Sequence, residues 1–323
     1  MEAGRLTIGI DLGGTKLLAA IVDSDGRVLD SVRSATAPER GFDGVVEAVV
    51  GAVRALGPRV ADALAIGVGV AGQVDSKTGT VRYAPNLQWR DAPLGPALES
   101  ILGLPVVVTN DVRAAAWGEW HHGAGQGVDD LVVLFVGTGI GGGVVAGGRL
   151  LEGCSNAAGE LGHMTIVHGG RQCRCRNRGC LEAYAGGWAI AERSREAVEA
   201  DPVGGQAVLR IAGSLEAING AAVTRAALDG DVFANRLIAE TTDYLASGVV
   251  AIANAFNPAI LVLGGGVLEG RPDEVNRLRA IVRARALDVV AAVMRIEPAS
   301  LGGDAGVIGA AGMANAILGR TAD

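Results

Sequence analysis

Apolar residues along this chain fall into short blocks that end in glycine, and these blocks alternate with longer amphipathic stretches. Residues 6–10 are apolar, Asp11-Leu12-Gly13-Gly14-Thr15 turns, 17–22 are apolar again, and Asp25-Gly26 turns into 28–32. Short apolar blocks bounded by turn residues read as strands. From Gly44 to Leu56, Val45, Val46, Val49 and Val53 recur at helical spacing. Residues 63–70 and 105–109 read as buried strands. Asn110-Asp111 then precedes Ala114-Ala115-Ala116-Trp117-Gly118-Glu119-Trp120, a helical run with an N-cap signal before it.

A second cycle begins at Leu131. Residues 131–136 are apolar, 137–143 turn, and 144–146 are apolar, which repeats the order strand, Gly/Thr turn, strand. The echo suggests two similar halves. Residues 200–230 read as an excursion with short helices, 232–256 as a long helix, 259–263 as a strand ended by Gly264-Gly265-Gly266, and 304–318 as a small-residue helix able to pack closely on a sheet. Alternating strands and helices define an α/β class. At roughly 150 residues per domain, 323 residues suggest about two domains.

Composition narrows the function classes. A formal net charge of −7 disfavours nucleic acid and anionic membranes as partners, because like charges repel. The uncharged stretches 131–148 and 244–268 are broken by glycines and by Asn257-Pro258, so neither reads as a membrane span. Four cysteines in a chain of this length are too few for a disulfide scaffold. No leader pattern precedes the first strand, so a cytoplasmic protein is expected.

Three groups of residues carry candidate chemistry. The two Gly/Thr turns can aim free backbone N–H groups at phosphate, with Thr15 and Thr138 hydroxyls, the Lys16 charge and a hydrated Mg²⁺ on Asp11 as further elements. Both also fit plain glycine-rich hairpins. Asn110-Asp111 sits where a strand meets a helix, the place for a general base over the crevice of an α/β sheet, and equally the place for an ordinary N-cap. Glu160-x-x-His163 followed by Cys173-x-Cys175-x4-Cys180 offers one imidazole and three thiolates, the donor set of a closed tetrahedral zinc site. The alternative is reduced cysteines in a surface loop. Cys154 is expected to be a small apolar filler.

Together these pieces resemble the ROK family of bacterial sugar kinases and sugar-responsive repressors, with details closest to the glucokinases of actinobacteria. The matching segments are Asp11 to Lys16, Gly67-Val68-Gly69-Val70-Ala71-Gly72 with Val74-Asp75, Ala84-Pro85-Asn86-Leu87, Asn110-Asp111 with Ala114 to Glu119, Gly137 to Gly143, Glu160-Leu161-Gly162-His163, Gly179-Cys180-Leu181-Glu182, and Gly264 to Gly266. The resemblance implies an actin-like ATPase (ribonuclease H-like) fold with two α/β domains around a cleft. These would be 1–120, with a terminal helix at 304–320 packing back on it, and 121–303, which carries the zinc site. It implies an ATP-dependent hexose kinase, glucose being the expected substrate, with Mg²⁺ and structural Zn²⁺, working as a homodimer or homotetramer. Asp111 would be the catalytic base. Gly72, Asn86, Asn110, Glu160, His163 and Glu182 would bind the sugar. Asp11, Gly13, Gly14, Thr15, Lys16, Gly137, Thr138, Gly139 and Gly264 to Gly266 would hold the nucleotide. His163, Cys173, Cys175 and Cys180 would bind zinc.

Arg113, Arg176 and Leu181 stand where the family often has a small residue or Asn, a Gly and an aromatic. A repressor would need a DNA-binding segment before Asp11, where little chain is available. His163 is expected to serve two tasks, with one ring nitrogen on the metal and the other on a sugar hydroxyl. Metal loss is then expected to weaken sugar binding far more than ATP binding, since the phosphate turns lie in other segments.

Overall fold

The computed structural model describes residues 5–320. Its strands are β1 (Leu6–Leu12), β2 (Lys16–Val22), β3 (Val28–Ala35), β4 (Ala63–Val70), β5 (Gln73–Asp75), β6 (Thr80–Ala84), β7 (Trp89–Ala92), β8 (Val106–Asn110), β9 (Leu131–Val136), β10 (Ile140–Ala146), β11 (Arg149–Leu150), β12 (Ile260–Gly264) and β13 (Arg295–Pro298). Two five-stranded sheets have the orders β3-β2-β1-β4-β8 and β11-β10-β9-β12-β13, and β5-β6-β7 form a small third sheet. Each large sheet starts from an antiparallel hairpin edge and ends in parallel strands, β1-β4-β8 in one and β9-β12-β13 in the other. The echo in the sequence is therefore an echo in topology. The chain forms two compact units, 1–128 with 143–159 and 299–323, and 129–142 with 160–298.

In the first unit, Ile8, Ile10, Leu12, Leu17 and Ile21 from the hairpin pack with Val45, Val49 and Val53 of the helix Gly41–Ala55, all buried. On the other face lies the helix Ala305–Arg320, with Val307 and Ala311 against Leu18, Ala20 and Val22. A methyl group on Gly9 or Gly67 would strike the carbonyls of Val307 and Ala310. These glycines, with the small residues of the helix, let helix and sheet backbones approach directly. The same helix packs on Asp111–His122. Its approach is anchored by Glu119, a fully buried carboxylate that accepts the Ser300 and Leu301 N–H groups at 2.9 Å each.

In the second unit the long helix Val232–Phe256 has the bounds read from its spacing, and residues 200–230 hold the short helices Gln206–Ala212 and Gly220–Leu228. The sequence pattern left β5–β7, β13 and the helices Leu94–Leu102, Gly187–Ala200 and Pro272–Arg285 unassigned. It also gave 137–143 to a turn, whereas β10 begins at Ile140. Glycine is tolerated inside that strand because another element sits on its backbone: a side chain on Gly143 would meet Ala116. No helix among the described residues is long and apolar enough to cross a membrane.

Candidate active site and metal centre

The first unit gathers the residues around Asp111 at the carboxyl ends of its parallel strands. β8 ends at Asn110 and the helix begins at Asp111. The Asn110 side chain uses both of its donor sites and one of its two acceptor sites. Its oxygen accepts the Arg113 N–H at 3.1 Å as the N-cap, and its amide nitrogen donates to Asp111 Oδ1 at 2.9 Å and to Gly72 O at 3.2 Å. The side chain that caps the helix thus also aims the Asp111 carboxylate. Asp11, two strands away at the end of β1, is largely buried. Burial lifts its carboxyl to about 6, and the Asp111 charge adds to the rise.

The first Gly/Thr turn links β1 to β2. Gly13 N–H donates to Lys16 O at 3.0 Å, and Thr36 ties down the other side, its hydroxyl donating to Gly13 O at 2.8 Å and its N–H to Thr15 O at 3.0 Å. The Gly14 and Thr15 N–H groups have no backbone partner among the described residues. Gly14 lies against the exposed Asn86, whose Cβ a methyl group would approach to 2.7 Å.

Arg113 is buried, and its guanidinium donates to Asn156 O at 2.7 Å, to Ala158 O at 3.2 Å and to Asn156 Oδ1 at 3.4 Å. Asn156 also donates to the Ser76 hydroxyl. Arg113 therefore straps the loop that leads into Glu160 to the helix that begins with Asp111. In the sequence Arg113 stood out only as a departure from the family pattern, two positions past Asp111.

In the second unit the turn Gly137-Thr138-Gly139 links β9 to β10. Gly137 N–H donates to Gly139 O at 3.0 Å. The rest of its bracing comes from the segment after Cys180. Glu182 Oε2 accepts the Ile140 N–H at 2.8 Å, and the Gly187 and Trp188 N–H groups donate to Gly137 O and Thr138 O at 2.9 and 3.0 Å. Thr138 is exposed. After β12, Gly265 adopts φ +93° with its Cα over Val136 O, a position closed to any side chain. The three glycine segments assigned to nucleotide thus exist as turns at strand ends.

Glu160 precedes a short 3-10 turn, Leu161–His163, so its carboxylate and the imidazole fall on one side, 3.9 Å apart through His163 Nε2. The other nitrogen, Nδ1, lies 3.7 Å from Cys173 Sγ, and Cys175 Sγ lies 3.6 Å from Cys180 Sγ. All four candidate donor atoms lie within 4.8 Å of one another. A tetrahedral zinc with bonds of about 2.3 Å to sulfur has edges of about 3.8 Å, so the donor set fits that ion. Burial pushes the Cys173 thiol up to about 12.

The loop is closed by Cys173 N–H to Asn177 O at 2.9 Å and Gly179 N–H to Arg171 O at 2.8 Å. Arg176 within it adopts φ +79°, the left-handed region that glycine occupies freely. The departure at this position thus keeps a glycine-like backbone under an arginine.

One sequence reading needs correction: Cys154 is exposed and fills no core. The second Gly/Thr turn, though in another segment than the cysteines, is hydrogen-bonded to residues 182–188, which follow Cys180 directly.

Comparison with known proteins agrees with this construction. The ROK family profile matches residues 7–317. A glucokinase of Streptomyces coelicolor is 35% identical over 321 residues, covering 96% of this chain and 97% of that protein. The crystal structure of a ROK family glucokinase from Streptomyces griseus, in complex with glucose and AMPPNP, is 38% identical. It superposes with a TM-score of 0.81, over 96% of this chain and 99% of that one. A ROK family transcriptional regulator, a homologue of the E. coli MLC protein, is 27% identical with a TM-score of 0.82, over 98% of this chain and 79% of that one. Fold and relatives define a two-domain α/β protein of the actin-like ATPase class. Within that class, the chain belongs to the ROK family.

Proposed function

We propose that this chain is an ATP-dependent hexokinase of the ROK type, and that glucose is its preferred sugar. The observation that carries the reading is Asp111, a carboxylate at a strand end aimed by the Asn110 amide, in a chain whose glucokinase relatives run nearly its full length. In this reading Asp111 takes the proton of the sugar 6-hydroxyl. That oxygen bonds to the γ-phosphorus as the bond to the bridging oxygen breaks and ADP leaves. Gly72, Asn86 and Asn110 of the first unit and Glu160, His163 and Glu182 of the second would bind the sugar hydroxyls. The turns at Gly13 to Lys16, Gly137 to Gly139 and Gly264 to Gly266 receive the nucleotide. Asp11 would hold hydrated Mg²⁺, which neutralises phosphate charge.

His163, Cys173, Cys175 and Cys180 would hold Zn²⁺ as a structural ion, and the geometry supports this through four soft donors at tetrahedral spacing. The orientation of His163, with Nδ1 toward the thiols and Nε2 toward Glu160, supports the two-task reading. The domains at 1–120 with 304–320 and at 121–303, a cytoplasmic location and a homodimeric or homotetrameric assembly belong to the same reading. The test is a coupled ADP-release assay across glucose, mannose, fructose, N-acetylglucosamine and N-acetylmannosamine, with ATP and with polyphosphate. Glucose with ATP is expected to give the highest kcat/KM, and a higher value for an N-acetylhexosamine overturns the substrate.

The likeness to a transcriptional regulator supports a second reading, a sugar sensor without turnover. Saturable glucose binding with no ADP release would favour it.

A further inference from the structure

The cysteine loop and the second Gly/Thr turn share one residue. Trp188 is buried and packs in the same apolar cluster as Cys173, Cys180 and Tyr184. The guanidinium of Arg174, which lies between two of the cysteines, sits 4.4 Å from the centre of its ring. From this ring, Nε1–H donates to Glu182 Oε1 at 3.0 Å, and the other oxygen of that carboxylate accepts the Ile140 N–H at 2.8 Å. The Trp188 backbone N–H donates to Thr138 O at 3.0 Å. One side chain thus touches the loop on its face and reaches the turn from its edge, through a carboxylate whose two oxygens are both occupied.

A carboxylate that accepts two aimed donors loses its freedom to rotate, and the N–H it accepts is fixed with it. The turn depends on this support. A side chain at Gly139 would meet the Glu182 carboxylate, and one at Gly187 would meet Gly137 O, so the turn already touches that side chain and the backbone behind it. Small shifts of residues 182–188 must then move the turn. A folded cysteine loop holds Arg174 and the Cys173–Cys180 pair against the indole. A loop that has lost its metal loses the constraint that keeps those groups there.

We propose that Trp188 is a positioning residue that carries the order of the Cys3His loop to the Gly137–Ile140 turn, so that metal occupancy sets nucleotide affinity. The inference rests on reading that turn as a phosphate site. It reverses the order of effects expected from sequence, in which metal loss weakens sugar binding more than ATP binding.

The test is Trp188→Phe, which keeps the ring stack and the backbone N–H but removes the bond to Glu182. Calorimetric titration of the metal-loaded protein with AMPPNP and, separately, with glucose is the readout. AMPPNP is expected to bind roughly tenfold more weakly, the scale of a hydrogen bond to a charged group, while the glucose Kd, which also senses Glu182 through the sugar contact proposed for it, rises by a clearly smaller factor. Removing the metal should weaken AMPPNP binding to the wild type, but add little in W188F, because the link is already cut. A W188F protein with wild-type AMPPNP affinity overturns the inference, as does one that loses glucose affinity instead. Equal weakening of both, with a fall in Tm, would mean plain structural damage and also overturns it. Should W188F fail to fold, Arg174→Met at an exposed position decides. A two- to threefold rise in the AMPPNP Kd with unchanged glucose binding supports the link, and no change sinks it. A wild-type protein that binds no AMPPNP defeats the kinase reading itself, whereas normal wild-type binding with an indifferent W188F defeats this inference alone.

Discussion

The two Gly/Thr turns occupy equivalent places in two sheets of the same strand order, yet they are held by different means. The turn at Gly13 to Lys16 is braced by its own hairpin and by Thr36, one strand further along the same meander. The turn at Gly137 to Ile140 is braced by Glu182, Gly187 and Trp188, which follow the cysteine loop. The first is a local structure that the hairpin nearly specifies by itself. The second depends on chain more than forty residues away, fixed by side-chain chemistry. The duplicated topology therefore conserves where a turn sits and leaves open what secures it, since any donor or acceptor placed correctly will serve. The half-buried carboxylates Asp11 and Asp111 belong to the first half, and the Cys3His set belongs to the second.

The largest expected effect tests whether the chemistry resides in the first half. Asp111→Ala should lower kcat by roughly 10²–10⁴-fold with glucose and AMPPNP affinities largely kept, as judged by calorimetry beside the rate assay. Near-normal turnover would remove Asp111 from the reaction.

Next comes Asp11. Its folded carboxyl titrates at about 6, above its ordinary 3.8. Between these values the native state binds more protons than the unfolded state, so this group makes stability fall as pH rises from about 4 to 6. At pH 7 the ionised group costs on the order of 2–3 kcal/mol. Asp11→Asn should raise Tm in the absence of nucleotide and flatten stability across that pH window. The same change should weaken Mg-nucleotide binding. An unchanged pH profile of denaturant midpoints would show that Asp11 ionises normally.

Thr36→Val sharpens the contrast between the turns. It removes the hydroxyl bond to Gly13 O and should cost about 1 kcal/mol, with weaker nucleotide binding that is insensitive to metal. Metal-sensitive loss in this variant would mean that the two turns are not independently braced.

The smallest effect lies in the cysteine loop. Arg176→Gly relieves a left-handed arginine and should stabilise the folded loop by up to about 1 kcal/mol, read as slower metal release to a chelator. Faster release would show that the arginine side chain contributes more than its backbone costs.

Strand and helix positions that depend on neighbours in sequence were legible from the pattern. β4, β9 and the helix Val232–Phe256 have the expected bounds, because apolar periodicity and flanking glycine or Asn report local geometry directly. The small sheet β5–β7 was not legible, since its strands are three to five residues long and mix exposed and buried positions. Glu119 and Arg113 lie in an alanine-rich helix whose sequence gives no sign of their burial, and both are buried. Each is satisfied by backbone groups of a distant loop, which no local window contains.

The sequence by itself determined the kinds of chemistry present: two glycine turns, an Asn-Asp strand end, and one imidazole with three thiols spaced for a metal. These are properties of residue type and short spacing. Tertiary structure decided which groups serve one another. It gave the Asn110 amide both the helix cap and the Asp111 carboxylate, set Arg113 on the loop before Glu160, and joined Trp188 to the cysteine loop on one side and to a turn on the other. Hydrogen bonds reach only about 3 Å. Which donor meets which acceptor is therefore settled by packing that brings remote segments together, a distance relation that the order of residues does not express.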